Sequence, residues 1–152
     1  FKQKTAYEIP LRLVGSEMCI RDRVLKMNLT KVFYDGKCGL CSKEINYYKK
    51  VAPKNIFEWY DIATKPDDLK LIKVSQYDAL MYLHAIDQNA NLKIGVDAFI
   101  LIWSKLRFWN ILSIFVSLPV IYSLAKITYN IFAGYRFKKL THCQAASQEV
   151  SK

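Results

Sequence analysis

The chain has 152 residues, 52% of them hydrophobic, and a net charge of +10, which suits one compact domain with at most a small appendage and argues against two independent cores. Its bases are scattered among acids and aromatics with no arginine-rich run, so no nucleic-acid partner is expected; the charge reads as solubility with a weak attraction to anionic surfaces. Four cysteines, only two of them closely spaced, fit a reducing compartment where a paired cysteine does chemistry rather than stapling, so a cytoplasmic location is expected.

Residues 1–26 differ from the rest. They contain no apolar run long enough for a signal-peptide core and no sustained periodicity, and Met27 offers a start position. They resemble translated sequencing-adaptor read-through and are expected to be a non-native or disordered leader; a flexible tail or an extra strand over 11–14 is the alternative.

A β-like run over 30–34 leads through Asp35-Gly36-Lys37-Cys38-Gly39-Leu40-Cys41 into an amphipathic stretch, 42–51, with Ile45 and Tyr48 at helical spacing. A helix starting near Cys38 places its sulfur among unpaired backbone N–H groups that favour a thiolate, and the i, i+3 spacing stacks Cys41 one turn away. Pro53 stops that helix. Residues 56–61 read as a second strand, parallel to the first. Thr64 as N-cap with Pro66 and Asp67 predicts a short helix to about Lys73, closed by a polar loop, 75–78.

Residues 79–86 and 92–94 flank a polar turn and predict a β-hairpin. Gly95 and Asp97 then open an apolar helix over 98–106. The order β-α-β-α-β-β-α, with C-x-x-C between the first strand and first helix, is an α/β arrangement of the thioredoxin-like kind.

Tyr34-Asp35-Gly36-x-Cys38-x-x-Cys41, followed by Gly95-x-Asp97-Ala98 and a helical C-terminal region, resembles the DCC family of predicted thiol-disulfide oxidoreductases from Met27 to about Arg136. The resemblance implies a thioredoxin-like fold and a redox role. One departure from ordinary thioredoxins is that no proline precedes Ala79, where they carry a cis-proline facing the cysteines.

Residues 108–125 carry no charge, about the minimum length of a membrane span. Asn110, Ser113, Ser117 and Pro119 interrupt them, so two helices, 109–117 and 119–133, are expected to pack on the domain, the second ended by Gly134. Docking at a membrane interface through 108–133 is the competitor, since Trp103, Trp109, Tyr122, Tyr129 and Tyr135 stand among Lys126, Arg136, Lys138 and Lys139. The expected organisation is therefore a leader, 1–26, a redox domain, 27–107, a helical extension, 108–140, and a disordered polar tail, 141–152.

Cys38 is the expected nucleophile, its thiolate favoured by the helix end and Lys37, and Cys41 the resolving thiol. Asp35 either caps the turn or accepts the Cys41 proton. Gly36 and Gly39 allow tight turns and close approach of a substrate; Tyr34, a substrate-contact candidate beside Lys37, reads more readily as core, as does Trp59. The pair acts as a dithiol-disulfide couple on a protein or small-molecule thiol without a bound cofactor. Zinc binding is the rival, because C-x-x-C is half of a zinc site. His142-Cys143 would have to complete it from a polar tail and His84 sits in a strand pattern, so no metal is expected. A redox-sensing interaction module is the third alternative.

Overall fold

The computed structural model describes residues 29–150, so the expectations for the leader lie outside the described residues. In chain order the elements are β1 (Thr30–Tyr34), α1 (Gly39–Val51), β2 (Phe57–Asp61), a 3-10 helix (Pro66–Leu71), α2 (Gln76–Met81), β3 (His84–Ile86), β4 (Leu92–Ile94), α3 (Val96–Lys105), α4 (Asn110–Val116), α5 (Pro119–Lys139) and α6 (Thr141–Val150). The 4-stranded sheet has the order β2-β1-β3-β4. Val32 of β1 faces Trp59 of parallel β2 and Ala85 of antiparallel β3. The mixed sheet and its helices form a thioredoxin-like fold with a helical C-terminal part.

β1 is the centre of the sheet because it is apolar on both faces. Successive side chains of a strand point opposite ways. Val32 and Tyr34 pack with Ile45 and Tyr48 of α1 and Ala98 and Ile102 of α3, whereas Phe33 packs with Leu80, Phe137, Cys143 and Ala146. Helices α1 and α3 thus cover one face, and α2, the end of α5 and α6 cover the other. Each such large side chain contributes about 1.5–3 kcal/mol by leaving water.

Several local expectations are corrected. Ser75, read as part of a loop, starts α2: its hydroxyl accepts the Asp78 N–H at 3.1 Å and donates to the Asp78 carboxylate at 2.6 Å, a reciprocal cap. Residues 79–81 are therefore helical, and only His84–Ile86 is strand. The Pro66 helix is a short 3-10 turn capped at Lys65; Thr64 instead donates to the Asp61 carbonyl. Gly95, at φ 60, caps α3, and Asp97, expected as the cap, lies in its first turn and accepts the Tyr122 hydroxyl at 2.9 Å.

The two C-terminal helices form with their break at Pro119, as the proline pattern predicts. α5 does not end at Gly134; it continues to Lys139 because Arg136 and Phe137, beyond the glycine, are anchored in the domain. The tail expected to be disordered forms α6, since Cys143 and Ala146, three apart on one helix face, are buried in the second core cluster. Residues beyond 107 thus complete the core of the domain.

Candidate active site

The end of β1 delivers Asp35 into a turn held by its own carboxylate. Asp35 Oδ1 accepts the Lys37 N–H at 3.0 Å and the Cys38 N–H at 3.2 Å. The Gly36 N–H donates to Asp61 Oδ1 at 2.9 Å, which ties the turn to the end of β2. A side chain at Gly36 would collide with that carboxylate, so contact, more than backbone freedom, requires glycine here.

Cys38 is the N-cap of α1, and its sulfur accepts the Cys41 N–H at 3.5 Å. The Cys41 thiol donates to Cys38 Sγ at 2.8 Å. The spacing of the motif thus brings the sulfurs together at the helix end, as its sequence implies. Cys38 is only 2% exposed, while Cys41 is half-buried and lines a small cavity of about 40 Å³. Beside it, an apolar groove of about 480 Å³ shares Glu44, Phe99, Tyr129 and Phe132 as walls.

The cation at the sulfurs is Arg136. Its Nη1 lies 2.6 Å from Cys41 Sγ and 3.9 Å from Cys38 Sγ. Its Nη2 donates to the carbonyls of Leu80 at 2.6 Å and Met81 at 2.8 Å, which fixes the guanidinium plane. Burial pushes the Cys41 thiol up to about 12, although Arg136 pulls the other way. Burial also raises Glu44, which lies one turn beyond Cys41 and lines the same cavity.

The remaining expected residues fall into place unevenly. Lys37 is exposed, and the contact to the sulfurs comes from Arg136 instead. Tyr34 is buried and accepts a hydrogen bond from Lys49 Nζ at 2.9 Å; Trp59 packs against the core beside it. Gly39 is exposed with open space around it. His84 is a core histidine: its Nδ1 lies 2.9 Å from the Tyr82 carbonyl, and burial lowers its pKa.

His142 and Cys143, assigned from sequence to a polar tail, meet Asp35. His142 Nε2 is 2.9 Å from Asp35 Oδ2, and Cys143 Sγ is 3.8 Å from it. These three side chains place one ligand atom each within 4.8 Å of one another and are the residues here that could hold a metal. Burial and the Asp35 charge push the Cys143 thiol up to about 11. Asp61 and Arg136 carry no sequence signal because their partners are distant in the chain, and for the same reason His142, considered from sequence only as a zinc ligand, gives no sign of its contact with Asp35. The one available signal was the Cys143 and Ala146 spacing, which marks a buried helix face.

A thioredoxin-like sheet that presents two adjacent cysteine sulfurs at a helix N-terminus, against a half-buried guanidinium, has the parts of a protein of the thiol-disulfide exchange class. The chain belongs to the DCC1-like thiol-disulfide oxidoreductase family, whose sequence profile matches residues 32–141. The match includes Arg136 and stops just before His142 and Cys143. It is also similar to an uncharacterized chloroplastic protein of Arabidopsis thaliana, 29% identical over 113 residues that cover 71% of this chain and 51% of that protein. The chain thus spans about half the length of the curated relative it matches. No solved structure matches the chain.

Proposed function

We propose that Cys38 and Cys41 cycle between dithiol and disulfide and reduce disulfides of a protein or a small molecule, with no bound cofactor. The observation that carries this is Arg136 Nη1 at 2.6 Å from Cys41 Sγ. A guanidinium half-withdrawn from water beside two sulfurs stabilises whichever of them carries negative charge.

In the first step the Cys38 thiolate attacks one sulfur of the substrate disulfide. A mixed disulfide forms on Cys38, and the other substrate sulfur leaves as a thiolate. Cys41 then loses its proton and attacks Cys38 Sγ, closing the Cys38–Cys41 disulfide and releasing the second substrate thiolate. Two electrons pass from the dithiol to the substrate, and the thiol protons end on its two released thiols. Cys38 is the first nucleophile because it alone sits at the helix end, whereas burial keeps Cys41 protonated at neutral pH. Glu44, which lines the cavity shared with Cys41 and has its carboxyl raised by burial, is the proposed acceptor of that proton. Asp35, engaged with two backbone N–H groups and His142, acts as the turn cap.

The test is capture of a model disulfide peptide by the Cys41→Ser variant, read by intact mass, together with the metal content of the parent. A trapped adduct on Cys38 supports the exchange mechanism. Zinc is the second candidate, because Asp35, His142 and Cys143 offer one donor atom each within 4.8 Å of one another. One zinc per chain that is lost in His142→Ala, with no peptide captured, would replace redox exchange by a metal-site function.

A further inference from the structure

We infer that α4 and α5 form a docking surface for an anionic lipid membrane, onto which the protein lies without crossing it. Val120, Leu124, Ile127, Ile131 and Tyr135 follow one another at spacings of three and four residues along α5 and are 60% to 80% exposed. That spacing places them on a single helix face. Lys138 continues the same line and is exposed. The preceding segment adds Phe108, Ile111 and Ile114, all more exposed than Ile127. Large apolar side chains exposed in this number mark an interaction surface.

Its charge identifies the occupant. From residue 98 to residue 148 the sequence contains no Asp or Glu, whereas Lys105, Arg107, Lys126, Lys138 and Lys139 flank the apolar residues. Arg107, Lys126, Lys138 and Lys139 are exposed. Apolar side chains to insert, bases at the edges to meet phosphates, and no acid within the segment itself together fit an anionic interface. A protein partner of ordinary composition would not require a segment free of acids.

The geometry argues against a simple span. Among the described residues no helix is long and apolar enough to cross a bilayer, and α4 and α5 are bent by 94° at their break. The inward face of α5 is committed to the domain: Tyr129 accepts the Leu83 N–H at 3.1 Å, and Ala133 and Phe137 are buried. An interfacial placement uses the outer face and leaves these anchors in place.

The test is vesicle flotation of the full chain. Phosphatidylcholine vesicles containing phosphatidylglycerol should carry the protein upward, phosphatidylcholine alone should carry several-fold less, and high salt should reduce binding to the anionic vesicles. The double substitution Ile127→Ser and Ile131→Ser should lower flotation by about tenfold or more, because two inserted side chains are lost. Both positions are exposed, so its thermal melt should match the parent. The Cys38→Ser variant should float like the parent, which separates docking from the redox chemistry. Absence of flotation, or flotation unchanged by the double substitution, overturns the inference. A parent dimer that dissociates in the double variant and does not float would assign the face to a second copy.

Discussion

Arg136 and Cys41 touch at 2.6 Å although 95 residues separate them in the chain. The contact is possible because α5 continues past Gly134 and its last turns enter the core beside α2. Two carbonyls of α2, Leu80 and Met81, hold the other guanidinium nitrogen. Replacing Arg136 by Leu should therefore strand those carbonyls, at about 1–3 kcal/mol of stability, and shift thiol alkylation to higher pH. Arg136→Lys should restore part of the alkylation profile but not the stability, since one ammonium cannot span the sulfur and both carbonyls. Urea unfolding and iodoacetamide rates against pH measure the two effects separately. Equal alkylation profiles in all three proteins would remove Arg136 from the chemistry.

The turn before the cysteines is expected to be intolerant of a single methyl group. Gly36→Ala drives its new carbon into the Asp61 carboxylate and should cost about 1–3 kcal/mol. Asp61→Ala removes the obstacle together with the acceptor of the Gly36 and Ala63 N–H groups. The double variant should therefore lose less than the sum of the singles. Strict additivity in urea titrations would show that the two positions do not collide.

What could be read from the sequence divides by distance along the chain. The cysteine pair, the first strand and helix, and the hairpin at 84–94 are set by neighbours, and periodicity, proline and turn residues reported them. Within 79–86, where a strand is expected, residues 79–81 are helical because a short apolar run fits a helix or a strand equally well and the Ser75–Asp78 cap decides for helix there, while 84–86 is the expected strand. α6 was missed because its buried anchors, Cys143 and Ala146, are small and sit in a polar context. Arg136, His142 and Asp61 act across the fold, and no local pattern marks a side chain whose partner is far away in sequence.

His84 should make the domain acid-sensitive. Its pKa is lowered in the folded state from an ordinary value of 6.5, first by burial. The unfolded chain therefore binds the proton before the folded one does. The stabilising contribution is complete above 6.5 and is lost as pH falls from there toward the lowered folded value. Urea unfolding at pH 7.5 and at pH 5.5, about one unit either side of the unperturbed histidine, should show a drop in the parent that shrinks in His84→Gln. A drop of equal size in both proteins would assign the acid sensitivity to other groups.

The order in which the two sulfurs react follows from their unequal surroundings. Cys38 is the helix cap, facing the Cys41 N–H, and Cys41 is a half-buried thiol pushed up to about 12. At neutral pH Cys41 alone should be a poor nucleophile, so Cys38→Ser should lose both turnover and peptide capture. Its Cys41 thiol should alkylate slowly until the pH is strongly alkaline. Cys41→Ser should instead accumulate the mixed disulfide on Cys38, because the sulfur that releases the substrate is gone. Capture should be slow, since Cys38 is 2% exposed and must be uncovered first. Weakening the tie between α6 and the turn by His142→Ala in the Cys41→Ser background should accelerate it, because the Asp35–His142 contact then no longer holds α6 there. Neither cysteine change should unfold the domain, as the ring the pair closes is too short to restrict the unfolded chain much. Intact mass of each variant after timed exposure to the peptide, with melts recorded alongside, provides the measurement. If Cys38→Ser captures peptide at neutral pH while Cys41→Ser does not, the roles of the two sulfurs are reversed and access, rather than the helix end, selects the nucleophile.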